Sequence, residues 1–492
     1  MKKALIIVAV FLLAGVTVVT FSHQKSSLPA DQAPGYNFNV KFDFNVPKNP
    51  SSAGADSIEL INFAWDEFFA LNWKSSYSFS KKRADPDRSW RYDAYNSSAP
   101  YPTDPVVWET YAHRTELRPY SNNMLPFDNP PHYSYKINIV PTPGATTGLF
   151  NNLDENNEIG SCDLYANTDR YGKRRQVLYQ AKANRDEYDY LYNNYRDSNN
   201  LKIALANSRT KVMHDSAYDN VGSSCSCDRN AKLFCLPCGG ADVPGTFGYT
   251  KYEGAVEVKT AWKEIGPSET RRYFTRKVIT YKKVGNTVYA DNKIYGLIGM
   301  HIIHKTLYFP NFIFATFEHV DVEADHMGYV LLGHGTPDSN PMAYRRAHTI
   351  PAVVDSSTAY VHRELNKKNP NSIWQYYRLV GVQGNPTNDT KSFSFFLANY
   401  VIESDSMLAN FRGSNLNKPF NGGINSVYKR KGYSMGGCQG CHGVAQLAGT
   451  DCSFIMFFGG FLPVKAPDAG NSTDKLAAYK RLFEAITAPA KN

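Results

Sequence analysis

The 492-residue chain has no internal repeat, no heptad run and no long low-complexity segment. Those absences exclude a solenoid, a coiled coil and a wholly disordered chain. No block of five or more basic residues accompanies the net charge of +9, of which Lys2 and Lys3 supply two. Charges so scattered describe a solvated surface rather than a nucleic-acid patch. Beyond the first 21 residues no apolar stretch approaches the length needed to span a bilayer, so the body reads as soluble. Long runs of Leu, Ala and Glu are scarce, which argues against a helical bundle.

What the chain does have is rings. Aromatics make up 14%, with 33 Tyr and 28 Phe, and the hydrophobic content of 42% suffices for a large core. Such a composition favours strand and loop. The N-terminus has the form of an export signal: Lys2 and Lys3 precede an uncharged apolar run from Ala4 to Phe21, ended by His23, Gln24 and Lys25. Thr20-Phe21-Ser22 is a poor cleavage site, so the run also fits an uncleaved membrane tether. Both readings place the body outside the cytoplasmic membrane, in the periplasm or cell envelope.

Residues 23–56 form an irregular lead-in. Asp56 or Ser57 caps a helix expected from Ser57 to Trp73, in which Leu60, Phe63, Ala64, Phe68 and Leu71 recur at helical spacing. Residues 74–156 are rich in Pro, Asn and Tyr and read as long loops, and 185–206 as a helix. The middle third reads as sheet. Val256, Val258 and Trp262 alternate with polar positions, and Gly285-Asn286 separates the strands Tyr273 to Tyr281 and Thr287 to Ala290 as in a hairpin. Tyr295 to Ile303 and Phe312 to Val320 are two further strands, and the sheet is expected to continue to about residue 405. Ser472 can cap a last helix carrying Leu476, Tyr479, Leu482, Phe483 and Ile486 on one face.

The chemistry-bearing text is Met435-Gly-Gly-Cys438-Gln-Gly-Cys441-His442-Gly443, which contains C-x-x-C-H. Two thiols three positions apart on a helical turn reach the two vinyl groups of one porphyrin, and the adjacent imidazole points at the iron. Cys438 and Cys441 are therefore expected to bind one haem c covalently, with His442 as the metal ligand. Thioether attachment takes place after export, so leader and motif require the same compartment. For the other side of the iron, Met456 in Phe454-Ile-Met-Phe-Phe458 is a thioether candidate. The imidazoles His301, His304, His319, His326, His334 and His348 are alternatives, six of the twelve histidines falling within 48 residues. An iron with no second ligand would instead be open to peroxide, oxygen or a substrate.

Six cysteines remain: Cys162, Cys225, Cys227, Cys235, Cys238 and Cys452. The Gly- and Ser-rich insertion at about 222–240 carries four of them, as C-x-C-x7-C-x2-C. It could hold a structural zinc, and disulfides suit an oxidising compartment better. A second candidate site lies in the expected sheet, where Glu257, His301, His304, Glu318 and His319 fall on adjacent strands, with Glu257, His301, Glu318 and His319 as its catalytic candidates. Glu318 and His319 must point to opposite faces because side chains alternate. Such groups could act as acid and base, bind a divalent metal, or form a satisfied buried network.

Several stretches together resemble a pattern recurring in large bacterial monohaem proteins of the cytochrome c family. They are Trp65 to Trp73, Val107 to Tyr111, Glu257 to Trp262, Gly299 to Thr306, Phe312 to Asp321, Tyr377 to Gln383, Leu397 to Glu403, and Asp451 to Ile455 behind the C-x-x-C-H motif. The resemblance implies one haem c and an extracytoplasmic site, without a substrate. The chain departs from the pattern at Cys452, where an aromatic is expected, at Lys74, where proline often stands, and in the Cys-rich stretch.

The fold expected is α+β and β-rich: a large antiparallel sheet or sandwich spanning 57–429, with a small C-terminal helical haem-c segment, 430–492, packed on it. Three functions fit. The first is electron transfer with a redox partner protein or a small-molecule donor or acceptor, for which a mildly basic surface suits an acidic partner. The second is a haem-dependent oxidoreductase of peroxidase or oxygenase type, and the third a haem-based binding or sensing module.

Overall fold

The computed structural model describes residues 35–92, 101–114, 116–117, 124–129, 139–145, 164–167, 174–214, 225, 232–240, 253–284, 287–324, 329–333, 336–337, 349–385, 387, 389, 391–395, 397, 399, 401–402 and 437–459. The leader and the helix expected after Ser472 lie outside these residues. No described helix is long and apolar enough to cross a membrane.

Helix α1 (Ser57–Leu71) forms where the spacing predicts it. The Asp56 carboxylate accepts from Glu59 N at 2.9 Å, satisfying one of the amides that a helix start leaves open. Its apolar positions are nearly all buried, from Leu60 to Leu71, so the helix lies inside the protein rather than on its surface. The region read as long loops contains the short helix α2 (Tyr77–Ser80) and the strands β1 (Ala112–His113) and β2 (Ile139–Pro141). Strands β3 (Leu164–Asn167), β4 (Arg174–Gln176) and β5 (Leu178–Ala183) follow. The expected 185–206 helix is two helices, α3 (Arg185–Asn194) and α4 (Ser198–His214).

The sheet is built mainly from β6 (Val256–Glu264), β7 (Thr275–Val284), β8 (Thr287–His304), β9 (Ile313–His319) and β12 (Tyr377–Gln383). Its main path runs β1-β5-β6-β8-β9-β12, with β2 and β7 also pairing with β8. Every pair is antiparallel except β2 with β8. Two expected strands, at 287–290 and 295–303, are one strand of 18 residues. Its first half pairs with β7 and its second half lies between β6 and β9. A four-stranded sheet, in the order β11-β10-β3-β4, is completed by β10 (Tyr329–Gly333) and β11 (Thr336–Pro337), which follow the short α5 (Asp321–Ala324).

The expectation that sheet continues to about 405 needs correcting. Residues 352–368 form helix α6 (Ala352–Lys368), and β12 follows it. Val354, Ser357, Thr358, Val361 and Leu365 are its buried positions, a helical spacing carried by residues with β-branched or short polar side chains. Burial of one stripe outweighs their weak individual preference for extended structure.

Residues alternate across the large sheet, so its two faces carry different cores. One face holds Val256, Val258, Met300, Ile302, Ala315 and Phe317 beneath α1 and α6. The other holds Ala181, Ala183, Ile303 and Phe314, packed with residues of α3 and α4 and with Ile455 and Met456. The described residues thus form a β-rich α+β fold in which an antiparallel sheet packs against helices.

Candidate functional site

The C-x-x-C-H residues lie on α7 (Gly437–Leu447), which is followed by the short α8 (Phe454–Gly459). Both ends of α7 are pinned by glycine. Gly437 has φ +70°, and a Cβ there would lie 2.6 Å from Ser394 O and from Gln383 Oε1. At the other end Gly449 has φ +84°, and a Cβ would lie 2.3 Å from Leu205 O in α4. Only glycine fits both the left-handed backbone and these approaches. Gln439 adds register to this docking: its N donates to Gln383 Oε1 (2.8 Å) and its Nε2 to Gly384 O (3.0 Å).

On this helix the Cys438 thiol is half-buried and outside any disulfide. Cys441 follows one turn later; its side chain lies outside the described residues. His442 sits between two rings, with Phe314 at 4.6 Å (tilted by 57°) and Phe454 at 4.8 Å (edge-on, 73°). Its Nδ1 lies 2.7 Å from Cys452 O. A carbonyl can only accept, so Nδ1 carries the proton. Burial pushes the imidazole down to about 4, against the opposing pull of the Cys452 carbonyl, so the ring is neutral at pH 7. A neutral ring protonated on Nδ1 leaves a lone pair on Nε2, the state of a metal-ligating imidazole.

The turn that delivers the Cys452 carbonyl is strained. Asp451 (φ 55°) and Cys452 (φ 63°) are consecutive non-glycine residues in the left-handed region, each costing roughly 1–2 kcal/mol. Two tertiary contacts hold the first of them. The buried Asp451 carboxylate pairs with the Lys305 ammonium, and Asp451 Oδ2 accepts from Leu236 N at 2.7 Å. Leu236 belongs to the Cys-rich insertion, where Cys225 and Cys238 form a disulfide and Cys235 is also disulfide-bonded. These thiols are therefore not zinc ligands, and the insertion braces the turn behind His442.

The four sheet residues singled out from sequence divide. His301 pairs across β6 with Lys259 and across β9 with Thr316, placing it on the face that α7 covers. It is half-buried, and burial pushes its imidazole well below the ordinary value, with Lys259 and His442 pushing in the same direction. Glu257 shares this face and lies against Glu187 of α3. Burial first, and the Glu257 charge second, push the Glu187 carboxyl well above the usual range.

Glu318 is on the same face but is engaged by Arg378 at 2.6 Å. His319 points to the other face, as alternation requires. Its ring stacks on Tyr273 at 3.9 Å, its Nε2 contacts Arg272 O at 2.8 Å, and its Nδ1 accepts from Asp321 N at 3.1 Å. His304, also on the opposite face, pairs with Glu67 at 2.7 Å. The four thus do not form one acid–base group. Among the described residues no cluster of three or more His, Cys, Asp or Glu side chains is arranged to hold a bare metal ion.

Sequence reading missed Lys259, Phe314, Lys305, Asp451 and the Cys452 carbonyl. Lys259 was available from alternation, since it is two residues from Glu257. The others act through contacts between distant segments and carry no local signal. No protein-family description, curated protein or solved structure matches this chain.

Proposed function

We propose that the protein is an exported monohaem c-type cytochrome working in electron transfer, with Cys438 and Cys441 as the thioether positions and His442 as the proximal iron ligand. The observation that carries this reading is the His442 side chain: neutral, protonated on Nδ1 by its contact with a backbone carbonyl, and left with a lone pair on Nε2. The half-buried Cys438 thiol on the same helix and the strained Asp451-Cys452 turn fit the same purpose. Haem bound there would supply one-electron exchange between ferric and ferrous iron.

In this reading the chain's own residues hold and tune the imidazole. Lys305 and Leu236 N fix Asp451, Asp451 fixes the turn, and the Cys452 carbonyl orients the His442 ring and raises its basicity as a ligand. Phe314 and Phe454 keep water from the ring. The C-terminal segment then serves as the haem-c segment packed on the β-rich body. The Cys225–Cys238 disulfide supports an oxidising compartment, in line with a periplasmic or envelope location. The partner would be a redox protein or a small-molecule donor or acceptor.

The full-length chain, matured in a host competent for haem c attachment, tests this. We expect in-gel haem staining after denaturation, a mass increase of one haem, and a reversible one-electron couple by voltammetry. The double substitution Cys438→Ala, Cys441→Ala should abolish the stain. A bare polypeptide mass in the wild-type protein would overturn the proposal.

A further inference from the structure

We infer that His301 supplies the second axial nitrogen to the iron, giving a bis-imidazole centre that links the sheet to the C-terminal helix. The inference rests on the haem reading above and deepens it by assigning the ligand opposite His442.

Position carries the argument. On β9 Phe314 lies two residues before Thr316, the Cα partner of His301, so Phe314 and His301 are diagonal neighbours on one sheet face. Such neighbours are about 7–8 Å apart. The Phe314 ring in turn lies 4.6 Å from the His442 ring. His301 and His442 are also close enough to influence each other's charge, and both are half-buried.

Among the described residues the competing ligands point elsewhere; His326, His334 and His348 lie outside them. Side chains are described for six imidazoles: His113, His301, His304, His319, His362 and His442. His304 and His319 are committed to the opposite face, and His362 Nε2 contacts Tyr377 O at 2.7 Å. His113 pairs with Lys182, whose ammonium is turned toward Glu109 O, away from α7. Met456 is fully buried among Ile455, Cys452 and Phe314. It is a packed methionine of that apolar cluster.

The test uses the full-length, haem-loaded protein and reads its electron paramagnetic resonance and near-infrared spectra in the ferric state. We expect the wild type to be six-coordinate and low-spin with bis-imidazole signals, and to resist carbon monoxide when reduced. His301→Ala should become high-spin and bind carbon monoxide, and added imidazole should restore the low-spin spectrum. Met456→Leu should leave the spectrum unchanged. A high-spin or imidazole–thioether wild type, or an unaltered His301→Ala spectrum, would overturn the assignment while leaving haem c in place. Wild-type protein without covalent haem would remove the underlying reading and this inference with it. Where His301→Ala fails to fold, His301→Met keeps the bulk and should give an imidazole–thioether spectrum; an unchanged bis-imidazole spectrum in that variant would overturn the assignment.

Discussion

The two faces of the large sheet solve the same burial problem with different chemistry. Beneath α1 and α6 the core is a dense ring cluster: Trp65 meets Phe317 at 5.1 Å edge-on, Phe68 meets Trp374 at 5.4 Å, and Trp65 Nε1 donates to Ser357 Oγ at 3.0 Å. Its histidines are absorbed into pairs, His304 with Glu67 and His319 with Asp321. Beneath α7 the core is smaller, and it is interrupted by Lys259, His301, Glu257, Glu187 and the Lys305–Asp451 pair. Buried ionisable groups cost stability unless they are paired. On the proposed reading the face beneath α7 carries the chemistry and the aromatic face is the scaffold that bears it.

The sharpest way to break this contrast is to damage each face once. Trp65→Ala removes a fully buried ring and should cost about 3–5 kcal/mol in urea unfolding. In the fraction that stays folded, the spectrum of the proposed haem should be unchanged. Asp451→Ala strands the buried Lys305 ammonium and should cost a similar ~3–5 kcal/mol. It should also alter the haem potential and low-spin spectrum, because the Cys452 carbonyl loses its anchor. Equal spectral effects from the two substitutions would erase the distinction between scaffold and site.

A second contrast is set by pH. Burial lowers His319 to about 4, from the ordinary 6.5. Between those values the unfolded chain takes up a proton that the folded one refuses. The His319 contribution is therefore complete above about pH 6.5 and falls by roughly 3 kcal/mol as pH drops to about 4. The stability gap between wild type and His319→Gln should narrow by that amount between pH 7 and pH 4 in denaturant titrations. A constant gap would show that the scaffold-face histidine is not held neutral. The smallest effect is expected at the start of α1, where Asp56→Ala removes the cap on Glu59 N. It should cost about 1 kcal/mol, with no change at the haem.

Much of this division was legible in particular residues and some of it was not. The spacing of Leu60, Phe63, Phe68 and Leu71 announced α1, and Asp56 announced its start, because helix period and capping are local. The alternation in β6, β8 and β9 announced strands and showed that Glu318 and His319 diverge. Helix α6 was not legible, since Val353, Val354, Ser356, Ser357, Thr358 and Val361 lean weakly toward extended structure until a stripe of them is buried. The single long β8 was read as two pieces because Asp291, Asn292 and Lys293 look like a break; pairing with β7 carries the strand through them.

By itself the sequence determined what is covalent and short-range. It placed two cysteines and a histidine within five consecutive positions, and it set His301 and His304 at an odd separation that forces them to opposite sides of a strand. Only the tertiary structure decided which of those sides α7 would cover, more than 130 residues later, and hence that His301 rather than His304 shares a face with His442. It also decided that the Cys452 carbonyl, held by Asp451 and Lys305, would meet the His442 ring. The reason is physical: strand parity follows from the bond geometry of neighbouring residues, whereas the meeting of distant segments depends on which arrangement buries the most apolar surface while leaving every buried charge a partner.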